Sequence, residues 1–119
     1  MITSLKENEI FIFGSNMKGL HIGGAAKQAY EQFGADWGIA EGLSGRTYAF
    51  PTLEPEMTQR GIKALERSRD RLFATARALS EKTFLLTAVG TGIAQYEVAV
   101  MKKLFENPPS NIILPSEFN

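Results

Sequence analysis

The sequence predicts an α/β fold of three layers, in which helices cover both faces of a mostly parallel central sheet. Short apolar runs typical of buried strands alternate along the chain with segments whose apolar residues recur at helical spacing. Glycine-rich loops follow the strand-like runs, and helices connecting successive strands imply right-handed crossovers and parallel pairing. A length of 119 residues is typical of one domain, which we expect to span residues 1–119.

The first half of the chain predicts two strands flanking a helix. Residues 9–13 (EIFIF) form a short apolar run that ends at Gly14. Small and aromatic residues of segment 24–33 share one helical face, and Gly34 ends that helix. Residues 38–45 are predicted as a second glycine-rich loop, followed by a strand over residues 47–50 that Pro51 stops.

The second half repeats the alternation of helix and strand. Residues 58–79 carry apolar side chains at spacings of three, four and seven, which predicts a long helix. Residues 83–88 (TFLLTA) read as a buried strand and residues 97–105 as the last helix. A short strand over residues 111–114 ends at Pro115.

Composition excludes several classes of function. The chain has 0 Cys and 1 His, which excludes cysteine catalysis, cysteine zinc sites and histidine-rich metal sites. The 13 basic and 13 acidic residues give a formal net charge of +0, so we expect neither nucleic acid nor a membrane as partner. No signal peptide or spanning segment is apparent, which favours a cytoplasmic protein. No cofactor or metal is implied, although composition allows a Mg²⁺ site made of carboxylates alone, and no oligomeric state is specified.

Two glycine-rich loops are the candidate ligand site. The first, GSNMKGLHIGGAA, contains Gly14 and Ser15 and ends with Gly23, Gly24 and Ala25 at a helix start, where free amides could hold a phosphate or carboxylate. The alternative is that these glycines only form tight turns and allow close helix packing. The segment matches neither the GxGxxG nor the Walker pattern.

The second loop follows the strand at residues 83–88. It contains Gly90, Thr91, Gly92, Ile93 and Ala94, which offer consecutive backbone donors and one hydroxyl. Both loops follow predicted parallel strands, and ligands of such sheets bind at the carboxyl ends of the strands. We therefore expect the two loops to flank one cleft.

Three side chains could take part in binding or chemistry there. Asn16 could bond a sugar hydroxyl or position a water, or could equally serve a turn or helix cap. His21 could be an acid, a base or a phosphate donor, although a lone histidine is more often an exposed or capping residue. Tyr96 could stack on a base or ribose, whereas aromatics at helical spacing are more often core.

Other polar residues give weaker signals. GLSGRT lacks the second glycine of a nucleophile elbow, which argues against a serine hydrolase. Arg46 could pair with a phosphate or form an ordinary ion pair. We interpret the basic residues between Arg60 and Arg77 as a solvated helix face.

The two loops resemble those of the macro domain, a family that binds ADP-ribose and related nucleotides. FGSNMKGLHIGGAAKQAY resembles its first loop and following Ala-rich helix, and Thr91, Gly92, Ile93 and Tyr96 resemble its phosphate loop. The whole chain also resembles a group of small bacterial and phage proteins with an FxFGSN opening and an LPxEF ending, matched by residues 11–16 and 114–118.

The resemblance implies a compact macro-domain-like fold and a cleft that binds ADP-ribose or a related phosphorylated ribose nucleotide. In hydrolytic relatives the asparagine helps place the distal ribose and a water, so hydrolysis of an ADP-ribosyl bond would involve Asn16, with His21 as an optional acid or base. The alternative is a non-catalytic interaction protein, or a phage-associated structural protein, whose cleft is vestigial.

Overall fold

A five-stranded sheet forms the centre of the molecule, and the computed structural model describes residues 2–119. The strands are β1 (Glu9–Asn16), β2 (Gly42–Ser44), β3 (Thr47–Leu53), β4 (Thr83–Leu86) and β5 (Ile112–Ile113). Their order in the sheet is β2-β3-β1-β4-β5. The pairs that β1 makes with β3 and β4, and that β4 makes with β5, are parallel, and β2 is antiparallel to β3.

Three helices cover the two faces of this sheet: α1 (Gly24–Gln32), α2 (Ile62–Ala78) and α3 (Val98–Leu104). Side chains alternate across β1, so that Ile10 and Ile12 belong to the core under α2 and α3. Phe11 and Phe13 belong to a second core under α1. The three-layer α/β/α prediction is therefore confirmed.

The structure corrects the predicted strands at two places. Residues 42–44, predicted as loop, form β2 at the sheet edge. β3 continues through Pro51 to Leu53 instead of stopping at Phe50. The pairing of β2 with β3 ends at Ala49, so the missing N–H of Pro51 removes no bond to β2.

The ends of several elements also shift. β1 runs to Asn16, three residues beyond the prediction, and α2 begins at Ile62 instead of residue 58. Before α2, the N–H of Arg60 donates to the carbonyl of Thr52 at 3.3 Å, and Gln59 forms a bridge with Leu53. These contacts hold residues 59–60 against the end of β3 and delay the helix.

The carboxyl ends of β1, β3 and β4 lie side by side in this order of strands. A loop follows each of these strand ends and leads to the next helix: β1 to α1, β3 to α2 and β4 to α3. Among residues 2–119 no helix combines the length and apolar character needed to span a membrane.

Candidate functional site

A cleft with a volume of about 370 Å³ opens at the carboxyl ends of β1, β3 and β4. Its walls come from three parts of the chain: the end of β1 with the start of α1, the end of β3 with Met57, and the loop after β4. An ideal Cβ on Gly14 would lie 3.7 Å from the nitrogen of Gly90, so the end of β1 touches the loop after β4. The two predicted loops therefore flank one cleft, as the sequence indicated.

Most of the predicted binding residues line this cleft. They are Gly14, Ser15, Asn16, Gly23, Gly24, Ala25, Gly90, Thr91, Gly92, Ile93 and Ala94. Other lining residues were not predicted from the sequence, among them Thr52, Met57 and Thr87. Thr52 was missed because the predicted site contains only the loops after the predicted strands at residues 9–13 and 83–88. The predicted end of the strand at residues 47–50, two residues before Thr52, is the signal that would have found it.

Backbone amides on two sides of the cleft donate to no acceptor within residues 2–119. At the start of α1 they belong to Gly24, Ala25 and Ala26, because the first helical bond there runs from Lys27 to Gly23 and no side chain caps the helix. In the loop after β4 they belong to Ala88, Gly90, Gly92, Ile93 and Ala94. All of these residues line the cleft, which is thus rich in available donors.

The hydroxyl groups of the cleft, in contrast, already donate to backbone carbonyls. Ser15 Oγ donates to Ala40 at 2.5 Å, and Thr52 Oγ1 donates to Ser15 at 3.3 Å. Thr87 and Thr91 donate to Ile12 and Ala88, at 2.9 and 2.7 Å. Toward a ligand these oxygens can act only as acceptors.

Ionisable side chains are absent from the cleft lining that the described residues provide. No group of three or more His, Cys, Asp or Glu residues suited to a metal ion occurs among residues 2–119 either. The cleft therefore offers amide donors and hydroxyl acceptors, without a side chain of its own that exchanges protons near neutral pH.

Asn16 lines the cleft and also holds the loop that follows β1. Its Oδ1 accepts from the N–H groups of Lys18 and Leu20 at 3.1 and 3.2 Å, and its Nδ2 donates to the carbonyl of Leu20 at 2.9 Å. The turn that is the alternative role of Asn16 is thus present. A role of Asn16 toward a ligand stays a prediction, and only one Nδ2 hydrogen remains for it.

Replacing Asn16 by alanine should therefore destabilise the protein as well as weaken any ligand binding. The variant loses three hydrogen bonds within one loop, and we expect the free energy of unfolding to fall by about 1–3 kcal/mol. Urea denaturation measures this change, with Asn8→Ala, at an exposed asparagine, as the control. An unchanged unfolding midpoint would show that these bonds do not hold the loop.

His21 is buried and does not line the cleft, although Leu20 and Ile22 do. Its Nε2 lies 2.9 Å from the carbonyl oxygen of Asp36, so that nitrogen carries the proton, and its Nδ1 is buried without a partner among residues 2–119. The ring packs edge-on against Phe13 and Trp37. The structure thus places His21 in a buried aromatic cluster instead of at the surface. Its role as an acid or base stays a prediction.

Tyr96 supports the loop after β4 from outside the cleft lining. Its hydroxyl donates to the carbonyl of Arg60, and its ring lies 3.2 Å from the position of an ideal Cβ on Gly90. Burial raises the pKa of Tyr96, as does the charge of Glu54, while Arg60 lowers it. The phenol therefore stays protonated at neutral pH and keeps donating to Arg60.

The predicted solvated face is present on α2, where Lys63, Arg67, Arg71 and Arg77 are exposed, but Arg60 does not belong to it. Arg60 is buried and its Nη1 donates to the carbonyl of Pro51 at 2.9 Å and to Ser68 Oγ at 3.0 Å. Arg71 forms a bidentate pair with Glu41. Arg46, a candidate phosphate ligand, donates instead to the carbonyls of Leu5 and Lys6.

Arg60 places a positive charge beside the end of β3. The ion pairs among residues 2–119 are Arg69–Asp70 and Arg71–Glu41, so Arg60 has no carboxylate within bonding distance in that part of the chain. Pro51, whose carbonyl it contacts, precedes the cleft residue Thr52.

A scan against protein-family models, a search of curated proteins and a search of solved structures each found no match.

Proposed function

We propose that the protein binds ADP-ribose or a related phosphorylated ribose nucleotide in the cleft at the carboxyl ends of β1, β3 and β4. The observation that carries the proposal is the set of unpartnered backbone amides on two sides of one cleft that has no acidic side chain in its described lining. Phosphate oxygens are the acceptors that such amides bind best, and one set lies at a helix start.

The hydroxyl oxygens of the cleft support the sugar part of this proposal. Because Ser15, Thr52, Thr87 and Thr91 already donate their hydrogens to carbonyls, a ligand must donate to them. Ribose hydroxyls can do so, whereas phosphate oxygens cannot. A ligand with both phosphates and sugar hydroxyls uses both kinds of group in the cleft.

The cleft supports binding better than acid–base catalysis. General acid–base chemistry needs a group that exchanges protons near the working pH, and the described lining has none. Hydrolysis of an ADP-ribosyl bond would require an attacking water molecule that is positioned by Asn16 and by the phosphates of the substrate itself.

Calorimetric titration with ADP-ribose tests this function. We expect a dissociation constant in the micromolar range, and affinities at least about tenfold lower for AMP and for ribose 5-phosphate, because each fragment reaches only part of the cleft. Saturating ADP-ribose should also raise the melting temperature, since a ligand that binds only the folded state stabilises it.

Absence of heat and of any shift in melting temperature would overturn the proposal. The alternative of an interaction or phage-associated structural protein with a vestigial cleft would then stand. Binding without turnover on ADP-ribosylated protein would identify a binding module, and turnover would identify a hydrolase.

A further inference from the structure

We infer that the cleft does not distinguish between nucleobases, so that its ligand class is a ribose diphosphate with any base attached. This inference rests on the proposed function and goes beyond it. Three large apolar side chains that line the cleft are also exposed to solvent: Ile22, Met57 and Ile93. Their exposed fractions are 69 %, 41 % and 81 %.

These three side chains come from different loops. Ile22 precedes α1, Met57 follows β3, and Ile93 belongs to the loop after β4, so they occupy different sides of the cleft. Side chains of this kind contact the face of any planar base through dispersion and burial of apolar area. They make no hydrogen bond that could tell one base from another.

Recognition of a base by side chains needs donors and acceptors that the ligand can reach. The polar side chains of the described lining are Ser15, Asn16, Thr52, Thr87 and Thr91. Four of them have no donor left, and Asn16 has one hydrogen left. Proteins discriminate strongly between similar ligands when the wrong ligand leaves a buried polar group of the protein without a hydrogen-bond partner. The side chains of this cleft offer no free donor for that purpose apart from the one hydrogen of Asn16.

Titrations with ligands that share the ribose diphosphate and differ in the base test the inference. The probes are ADP-ribose, its hypoxanthine analogue, and 1,N6-etheno-ADP-ribose, whose adenine has lost its Watson–Crick hydrogen-bonding edge. We expect the three dissociation constants to agree within about threefold, which corresponds to less than 1 kcal/mol. A loss of about tenfold or more for either altered base would overturn base indifference while the proposed function stands. Failure of all three probes to bind would overturn both.

A variant of one of the three exposed apolar side chains gives a second test. Ile93→Ala should weaken all three probes by the same factor, about two- to tenfold, because it removes apolar contact area and no hydrogen bond. Ile113→Ala, at an exposed isoleucine of β5 outside the cleft lining, should leave every affinity unchanged. A change in the ratio between the probes on Ile93→Ala would contradict the inference, and so would an unchanged affinity for all three.

Discussion

Gly23→Val should abolish binding of ADP-ribose and leave the protein folded. Gly23 lines the cleft, directly before the unpartnered amides of α1. Its backbone is extended, with φ −158° and ψ 164°, a conformation that valine adopts readily. A Cβ built on Gly23 meets no heavy atom within 4 Å, so the new side chain occupies open space where the ligand would lie.

The expected loss of affinity is about 100-fold or more, since a branched side chain would keep a phosphate from the amides behind it. Calorimetry measures the affinity and thermal unfolding measures the stability, which should change by less than about 1 kcal/mol. Gly92→Val is an independent variant in the loop after β4, which forms another wall of the cleft. A Cβ on Gly92 also meets no heavy atom within 4 Å, so valine should fit there without disturbing the fold. Gly24 is less suitable for this test, since its φ is +56° and a side chain would strain the backbone itself.

Gly61→Val is the matched control. Gly61 precedes α2 as Gly23 precedes α1, with extended backbone angles, no capping side chain and open space around its Cβ. It does not line the cleft, so this variant should bind ADP-ribose like the wild type. Equal affinity of Gly23→Val and Gly61→Val would show that the ligand does not approach the start of α1.

The sequence predicted the layers of the fold because β1 and the helices have strong local patterns. The alternation of Ile10 and Ile12 with Phe11 and Phe13 places apolar side chains on both faces of one strand, and buried parallel strands have that composition. β2 could not be predicted in this way. It has three residues, two of which are only partly buried, and antiparallel pairing with β3 determines its conformation.

The positions of the cleft loops followed from topology, whereas the roles of single side chains did not. Glycines after two strands indicated where the amides would lie, and the parallel sheet brought them to one edge. The burial of His21 and of Arg60 could not be predicted, because burial of a polar side chain depends on contacts distant in sequence. Asp36 and Trp37 enclose His21, and Pro51 and Ser68 hold Arg60.

The turn between β2 and β3 depends on a close approach of two backbone segments. Ser44 pairs with Thr47, which leaves Gly45 and Arg46 as a two-residue turn, and Gly45 has φ +57°. Positive φ at the first position of such a turn favours glycine. The N–H of Arg46 donates to the carbonyl of Phe33 at 2.9 Å, so the turn lies directly against the segment that follows α1.

Gly45→Ala should destabilise the protein more than any other single methyl group added in this hairpin. A Cβ on Gly45 would lie 2.2 Å from the carbonyl oxygen of Gly34 and 2.6 Å from its carbon. Both are backbone atoms, which can move only if the turn separates from the segment after α1. Because this clash adds to the unfavourable φ, we expect the free energy of unfolding to fall by about 3 kcal/mol or more, which is a large part of the stability of a small domain.

Gly42→Ala separates the two contributions to that loss. Gly42 lies in the same hairpin with φ +101°, and a Cβ there meets no heavy atom within 4 Å. Its replacement should cost only the unfavourable backbone angle, about 1 kcal/mol. Urea denaturation of both variants measures the difference. If both variants lost the same free energy of unfolding, the turn could move away from Gly34 at no energetic cost. The contact between Gly45 and Gly34 would then not fix β2 against the rest of the sheet.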